Sequence, residues 1–211
     1  MVGQVFIKIC GMTSESAVVA AIECGVDAIG FVFAPSARRV TPQRAAELSA
    51  QAPRDLLRIA VTCHPEQRLV DEIVRYLEPD WLQTDVDDLA ALEVPDELTV
   101  LPVLRSDEQE PLHLPPRLLF EGPVSGRGVS TNWQRATGLA RRSELILAGG
   151  LHAGNVVEAI RRVQPFGVDV STGVESAPGV KDARRMAEFV TAVRSAATPD
   201  LQRGQRERRN G

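Results

Sequence analysis

Val5-Phe6-Ile7-Lys8-Ile9-Cys10 reads as a strand, residues 14–24 then read as a helix, and Ala28-Ile29-Gly30-Phe31-Val32-Phe33 reads as a second strand. A strand turns successive side chains to opposite faces, so Val5, Ile7 and Ile9 share one face while Phe6, Lys8 and Cys10 share the other. The unit repeats. A helical pattern over residues 42–52 follows the second strand, and residues 57–62 precede a helix over 66–77. Further β-rich runs lie at 81–84, 99–104, 118–121, 144–148 and 167–172, with helices expected over 133–141, 155–163 and 182–196. Eight strands in a chain of 211 residues predict an α/β fold, a compact (β/α)8 TIM barrel forming a single domain over residues 1–197. An open doubly wound sheet fits the same alternation, because βα order alone does not encode closure. Residues 106–116 are rich in acid and proline, so the fifth helix is expected to be short or missing. Residues 198–211, ending Gln205-Arg206-Glu207-Arg208-Arg209-Asn210-Gly211, lack apolar periodicity and are expected to form a charged mobile tail.

With 44% hydrophobic residues the chain can bury one substantial core. Its net charge of −4 and scattered basic residues provide no electrostatic footprint for nucleic acid. Three cysteines, Cys10, Cys24 and Cys63, are an odd number, and the sequence shows neither a signal-like start nor an apolar run of membrane-spanning length. A cytoplasmic protein with free thiols and no membrane partner is expected. His64, His113 and His152 are far apart in sequence and no Cys/His spacing suggests a metal site.

Two glycine-rich strand exits, Leu147-Ala148-Gly149-Gly150-Leu151 and Val170-Ser171-Thr172-Gly173-Val174, mark the ends of strands 7 and 8. Backbone N–H groups there, helped by a helix N-terminus and a hydroxyl, suit a phosphate, although Ala-Gly-Gly alone is equally an ordinary tight turn. Val168 and Val170 lie on one face of strand 8 and Asp169 on the other, so Asp169 points inward. A buried aspartate needs a use or a partner, and Lys8 is a candidate partner. Cys24-Gly25-Val26-Asp27-Ala28 echoes Phe166-Gly167-Val168-Asp169-Val170, but a glycine between helix and strand is ordinary loop chemistry and proves no duplication.

Four blocks together resemble the phosphoribosylanthranilate isomerase family of tryptophan biosynthesis. They are Lys8-Ile9-Cys10-Gly11-Met12-Thr13; Gly30-Phe31-Val32-Phe33 with Ser36 and Arg38; Leu147 to Leu151 with Asn155-Val156; and residues 167–175 with Gly179-Val180-Lys181-Asp182. The resemblance spans residues 5–196, with the blocks in the family's order and spacing. It implies a (β/α)8 barrel, no cofactor, a phosphorylated aminopentose substrate, and an Amadori rearrangement of an N-linked ribosyl phosphate to a 1-amino-1-deoxyribulose phosphate. It further implies Cys10 as general base, Arg38 as clamp for the anthranilate carboxylate, Asp169 as a polar partner in the site, and Gly149, Gly150, Ser171, Thr172 and Gly173 around the phosphate. A monomer or homodimer is expected.

The chemistry accounts for these residue types independently. The furanose opens when its ring oxygen is protonated, and a base then removes the C2 proton of the Schiff-base cation to give an enolamine. One acid and one base are needed. A thiol of ordinary pKa, about 8.5, is only a few per cent thiolate at neutral pH, so Cys10 needs a cationic neighbour, for which Lys8 on the same face is the candidate. Without that role, Cys10 would be a small buried hydrophobe.

The chain departs from the family at two strand exits. Where the family has an aspartate ahead of a Gly-Gly-Thr-Gly loop, this sequence has Glu121-Gly122-Pro123-Val124-Ser125-Gly126-Arg127-Gly128, so Glu121 is the expected general acid. Its extra methylene moves the carboxyl by more than about 1 Å, a displacement able to cost about a hundredfold if uncompensated. Arg127 is expected to serve the phosphate, pair with Glu121 or face solvent. At strand 4 the family's Gln-Leu-His-Gly is Gln83-Thr84-Asp85-Val86: Gln83 is kept among the substrate-binding residues with Lys8, while Asp85 introduces a carboxylate near the aromatic end of the substrate, which Arg39 would offset. Two other readings stay open: a paralogue that rearranges a different aminoribosyl phosphate, and a non-catalytic barrel that binds a sugar phosphate.

Overall fold

The computed structural model describes residues 4–123 and 131–197. Eight strands, β1 (Phe6–Cys10), β2 (Ala28–Val32), β3 (Leu57–Val61), β4 (Trp81–Asp85), β5 (Thr99–Arg105), β6 (Arg117–Glu121), β7 (Glu144–Leu147) and β8 (Gly167–Val170), close in sequence order into one barrel. Every neighbouring pair is parallel, and β8 returns to β1 with Lys8 opposite Asp169. Closure excludes the open doubly wound sheet.

Among the described residues six α-helices pack outside: α1 (Glu15–Cys24), α2 (Pro42–Ser49), α3 (Gln67–Leu77), α4 (Trp133–Ala140), α5 (Val156–Val163) and α6 (Ala183–Ala197). Their ends follow local chemistry. The Ser14 hydroxyl accepts from the Ala17 N–H at the start of α1, and Gly25, at φ 67°, terminates that helix in the left-handed conformation. Thr41 caps α2 with Pro42 at the first helical position. A 3-10 turn (Val86–Ala91) follows β4, and no helix joins β5 to β6. That connection contains Pro111, Pro115 and Pro116, which lack the N–H a helix interior requires. A short hairpin, β9 (Glu175–Ala177) with β10 (Val180–Lys181), follows β8; the strand expected over 167–172 stops at Val170, and a 3-10 turn begins at Thr172 (Thr172–Val174).

The apolar residues divide as the strand period requires. Ile7, Ile9, Ile29, Phe31, Val168 and Val170 meet the helices in an outer core. Ala28, Ile59, Trp81, Leu101, Val103, Leu119, Ile146 and Ala148 fill the barrel itself. At its base Phe6 stacks between Trp81 and Phe166, with the Arg117 guanidinium 4.8 Å from both of the latter rings. The plugged base leaves the C-terminal ends of the strands as the polar end. Among the described residues no helix is long and apolar enough to cross a membrane.

Candidate active site

Lys8, Cys10 and Asp169 lie together inside the barrel. Lys8 is completely buried, and its Nζ donates to Asp169 Oδ1 at 2.9 Å, a contact prepared by the register that sets the two residues side by side on β1 and β8. Cys10 is opposite Gly30 on β2. A Cβ at position 30 would stand 3.0 Å from Cys10 Sγ and 3.3 Å from Lys8 Cε, so the glycine leaves room for both side chains. Gly11, at φ 85°, turns the chain out of β1, and its N–H and that of Met12 both donate to the Gly30 carbonyl at 2.8 and 2.9 Å.

Lys8 does favour the Cys10 thiolate, as does Lys181, but burial and the Asp169 carboxylate outweigh them and push the thiol up from its ordinary value. Asp169 claims the Lys8 charge through a direct hydrogen bond. For Lys8, burial favours the neutral amine, yet Asp169 and Cys10 more than offset it and raise its pKa. The free site therefore holds Cys10 as a thiol.

Beside this floor, on the β2 and β8 side, Arg38 Nε and Nη2 donate to the two carboxylate oxygens of Glu175, both at 2.7 Å. Lys181 Nζ donates to the same carboxylate at 2.8 Å and to the Ser171 carbonyl at 3.1 Å. Burial pushes the Lys181 ammonium down; burial would raise Glu175, but the hydrogen bonds from Arg38 and Lys181 hold it below the usual carboxylate range. The Arg38 side chain passes over Gly11, where a Cβ would meet Arg38 Cδ at 2.5 Å. Ser171 Oγ donates to the Cys10 carbonyl at 3.0 Å, tying β8 to β1.

The two glycine-rich exits meet. Gly149 and Gly150 have φ of 89° and 66°, and the Asn155 amide at the start of α5 donates to the Gly150 carbonyl at 2.9 Å. A Cβ on Gly173 would lie only 2.0 Å from the Leu151 carbonyl oxygen, so the exits of β7 and β8 touch at a position only glycine fits.

Across the mouth, β4, β5 and β6 bring together Asp85, Arg105 and Glu121. Arg105 and Glu121 are register neighbours, and Arg105 Nη1 donates to Glu121 Oε1 at 3.1 Å. Arg105 Nη2 lies 2.6 Å from Asp85 Oδ1 as an ion pair without hydrogen-bond alignment; neither Asp85 oxygen accepts a hydrogen bond among the described residues. Burial weakens the Arg105 charge, but Glu121 and Asp85 more than restore it. Arg39, expected to offset Asp85, is exposed, and Arg105 takes that part. Gln83 is buried beside this group on β4, and its amide oxygen has no partner among the described residues.

Cys63, His64 and Asp85 each bring one ligand atom within 4.8 Å of the others, a cluster made by the fold and invisible in sequence spacing. The His64 ring is bonded to Asp88 at 2.6 Å, and the Arg105 guanidinium already lies against Asp85. Arg127 lies outside the described residues, as do residues 198–211. Three site residues had no assigned role in the sequence reading: Glu175 and Lys181, although they stand inside resembling blocks, and Arg105, which stands outside all of them.

The family profile described as N-(5'-phosphoribosyl)anthranilate (PRA) isomerase matches residues 7–192. An N-(5'-phosphoribosyl)anthranilate isomerase from Paramagnetospirillum magneticum is 39% identical, covering 89% of this chain and 96% of its own. The crystal structure of TrpF from Jonesia denitrificans is 31% identical with a TM-score of 0.78, covering 92% and 99% of the two chains. A phosphoribosyl anthranilate isomerase solved in complex with reduced 1-(o-carboxyphenylamino)-1-deoxyribulose 5-phosphate is 26% identical with a TM-score of 0.73, covering 90% and 99%.

Proposed function

The chain belongs to the N-(5'-phosphoribosyl)anthranilate isomerase family, and on that premise we propose how its own residues carry out the reaction. It is an aldose–ketose isomerase that converts N-(5-phosphoribosyl)anthranilate to 1-(2-carboxyphenylamino)-1-deoxyribulose 5-phosphate by an Amadori rearrangement, a step of tryptophan biosynthesis. It works in the cytoplasm as a monomer or homodimer.

The phosphate seats on the joined exits at Gly149, Gly150, Ser171, Thr172 and Gly173. Arg38, held by Glu175, faces the anthranilate carboxylate. Glu121 protonates the furanose oxygen, the C–O bond breaks, and the nitrogen lone pair forms the C1=N bond of the Schiff-base cation. The Cys10 thiolate takes the C2 proton, and the C2–H electrons return to nitrogen through the enolamine. Reprotonation at C1 and loss of the C2 hydroxyl proton give the ketone. Asp169 and Lys8 fix the polar floor on which the sugar hydroxyls rest. Because the free thiol is pushed up by burial, it is the cationic Schiff base formed next to Cys10 that favours the thiolate, the thiol proton passing to solvent before C2 is deprotonated.

The observation that carries this reading is the placement of Cys10 and Glu121 at the C-terminal ends of β1 and β6, facing one mouth that also collects both glycine-rich exits. The test is the fluorescence decay of freshly prepared N-(5-phosphoribosyl)anthranilate with the purified chain. Consumption at ordinary enzyme rates is expected. A folded chain that leaves this substrate untouched, yet turns over another aminoribosyl phosphate, would make it the paralogue that the Asp85 and Glu121 departures allow; one that binds but converts none would make it a binding barrel.

A further inference from the structure

We propose that Cys63, His64 and Asp85 form a site for a thiophilic divalent cation of the zinc class at the rim of the barrel mouth, with Cys63 Sγ, His64 Nε2 and Asp85 Oδ2 as ligands. The site requires none of the catalytic assignments. Cys63 and His64 leave β3, and Asp85 ends β4. Val61 pairs with Gln83, and the Thr62 N–H donates to the Gln83 carbonyl at 2.9 Å, so the same register carries position 63 beside position 85. The three donor atoms lie within 4.8 Å of one another, and His64 Nε2 is 3.9 Å from Asp85 Oδ2. Around a tetrahedral zinc, ligand atoms stand about 3.3–3.6 Å apart, so the cluster closes on a metal by contracting about 1 Å.

Two observations point to a ligand. Asp85 is 5% exposed, and neither of its oxygens accepts a hydrogen bond among the described residues. Arg105 Nη2 lies against Oδ1 at 2.6 Å, which leaves Oδ2, facing His64, as the oxygen that a cation would satisfy. The second is the setting of His64. Its backbone N–H donates to Asp88 Oδ2 at 2.9 Å and its ring Nδ1 is bonded to Asp88 Oδ1 at 2.6 Å, while the Thr84 hydroxyl holds the same carboxylate at 2.6 Å. An Nδ1–H given to a carboxylate leaves Nε2 of the neutral ring as the lone-pair nitrogen, the arrangement that orients a histidine for a metal. That lone pair faces Asp85 and Cys63, so three donor atoms converge where a cation is lacking among the side chains that present them. The Arg105 guanidinium, 4.0 Å from Cys63 Sγ, stands behind the ligands rather than between them. On binding, an S–metal bond replaces the Cys63 S–H bond and the proton passes to solvent; a water takes the fourth position. The thiolate selects zinc or cobalt over magnesium or calcium, which take oxygen ligands.

The experiment is an absorption titration of the reduced full chain with Co2+ alone, at a pH of about 8, where an imidazole is largely neutral. A thiolate-to-cobalt charge-transfer band with the visible bands of a tetrahedral ion is expected, saturating at one equivalent and abolished by Zn2+. Cys63→Ser removes the charge-transfer band, whereas Cys10→Ser keeps it. His64→Gln weakens Co2+ binding by about a hundredfold, and Asp88→Asn, which frees the ring from its carboxylate, by about tenfold. Absence of the band in the wild-type chain, or its survival in Cys63→Ser, overturns the proposal. If Cys63→Ser fails to fold, His64→Gln, a change on an exposed side chain, decides alone: an unchanged affinity for Co2+ overturns it.

Discussion

On the β2 and β8 side of the barrel mouth two cations, Arg38 and Lys181, converge on the single carboxylate of Glu175; on the β4 to β6 side two carboxylates, Asp85 and Glu121, converge on the single guanidinium of Arg105. Among the described residues the same ingredients thus meet in opposite ratio on the two sides. In the proposed mechanism the anionic phosphate and carboxylate of the substrate face the first. In the proposed mechanism the proton for the ring oxygen comes from the second. Between them the Lys8–Asp169 pair is balanced, and Cys10 sits beside it as a protonated thiol.

Removing the base should have the largest effect. Cys10→Ser is expected to lower kcat by about 10³-fold with little change in KM, since a general base acts only in the transition state; steady-state kinetics on N-(5-phosphoribosyl)anthranilate checks this, and an unchanged kcat moves the base elsewhere. On the anionic side, Glu121→Asp is expected to lower kcat by about ten- to a hundredfold, because the Arg105 contact at 3.1 Å is built to the glutamate's length. A faster Glu121→Asp enzyme would mean that the methylene is a handicap and that Arg105 does not compensate for it.

On the cationic side the effect should fall on binding. Glu175→Gln releases Arg38 and Lys181 from their common carboxylate and is expected to raise KM by about tenfold while kcat changes less. A fall in kcat alone would erase the division between the two sides. Lys8→Met, which leaves Asp169 buried without its partner, is expected to cost about 3–5 kcal/mol of stability, read by denaturant unfolding.

The fold was largely legible because strand period and helix caps are local: the eight strands, the shared face of Lys8 and Cys10, and the missing fifth helix follow from alternation and proline placement alone. Asp169 and Lys8 also found each other as their inward positions suggested. Arg105 was not legible. The fifth strand was read as ending at Leu104, one residue short, and the partners of Arg105 lie 20 residues before it and 16 after, joined only by interstrand register. Arg39 looked like the answer to Asp85 because it was the extra arginine in a resembling block, yet the loop after β2 leaves it exposed. The protonation of Cys10 was not legible for a different reason. Alternation puts a lysine on the thiol's face, but the depth of burial, and the claim of Asp169 on that lysine, are properties of the closed barrel.

The smallest effect is the titration of that thiol. Burial and Asp169 favour the protonated form, so thiolate absorbance, taken as the difference between the wild-type chain and Cys10→Ser, should keep rising above pH of about 8.5, the ordinary thiol value. Asp169→Asn should bring the midpoint down, because a negative neighbour is lost. A midpoint already below the ordinary value would restore Lys8 as an activator in the free enzyme.

The most direct test of the charge division is a crystal structure of this chain with reduced 1-(o-carboxyphenylamino)-1-deoxyribulose 5-phosphate. The phosphate should lie on residues 149–150 and 171–173, the carboxylate toward Arg38, C2 within about 3.5 Å of Cys10 Sγ, and the sugar oxygen that closes the ring toward Glu121. A phosphate or carboxylate seated on Arg105, between Asp85 and Glu121, would contradict it.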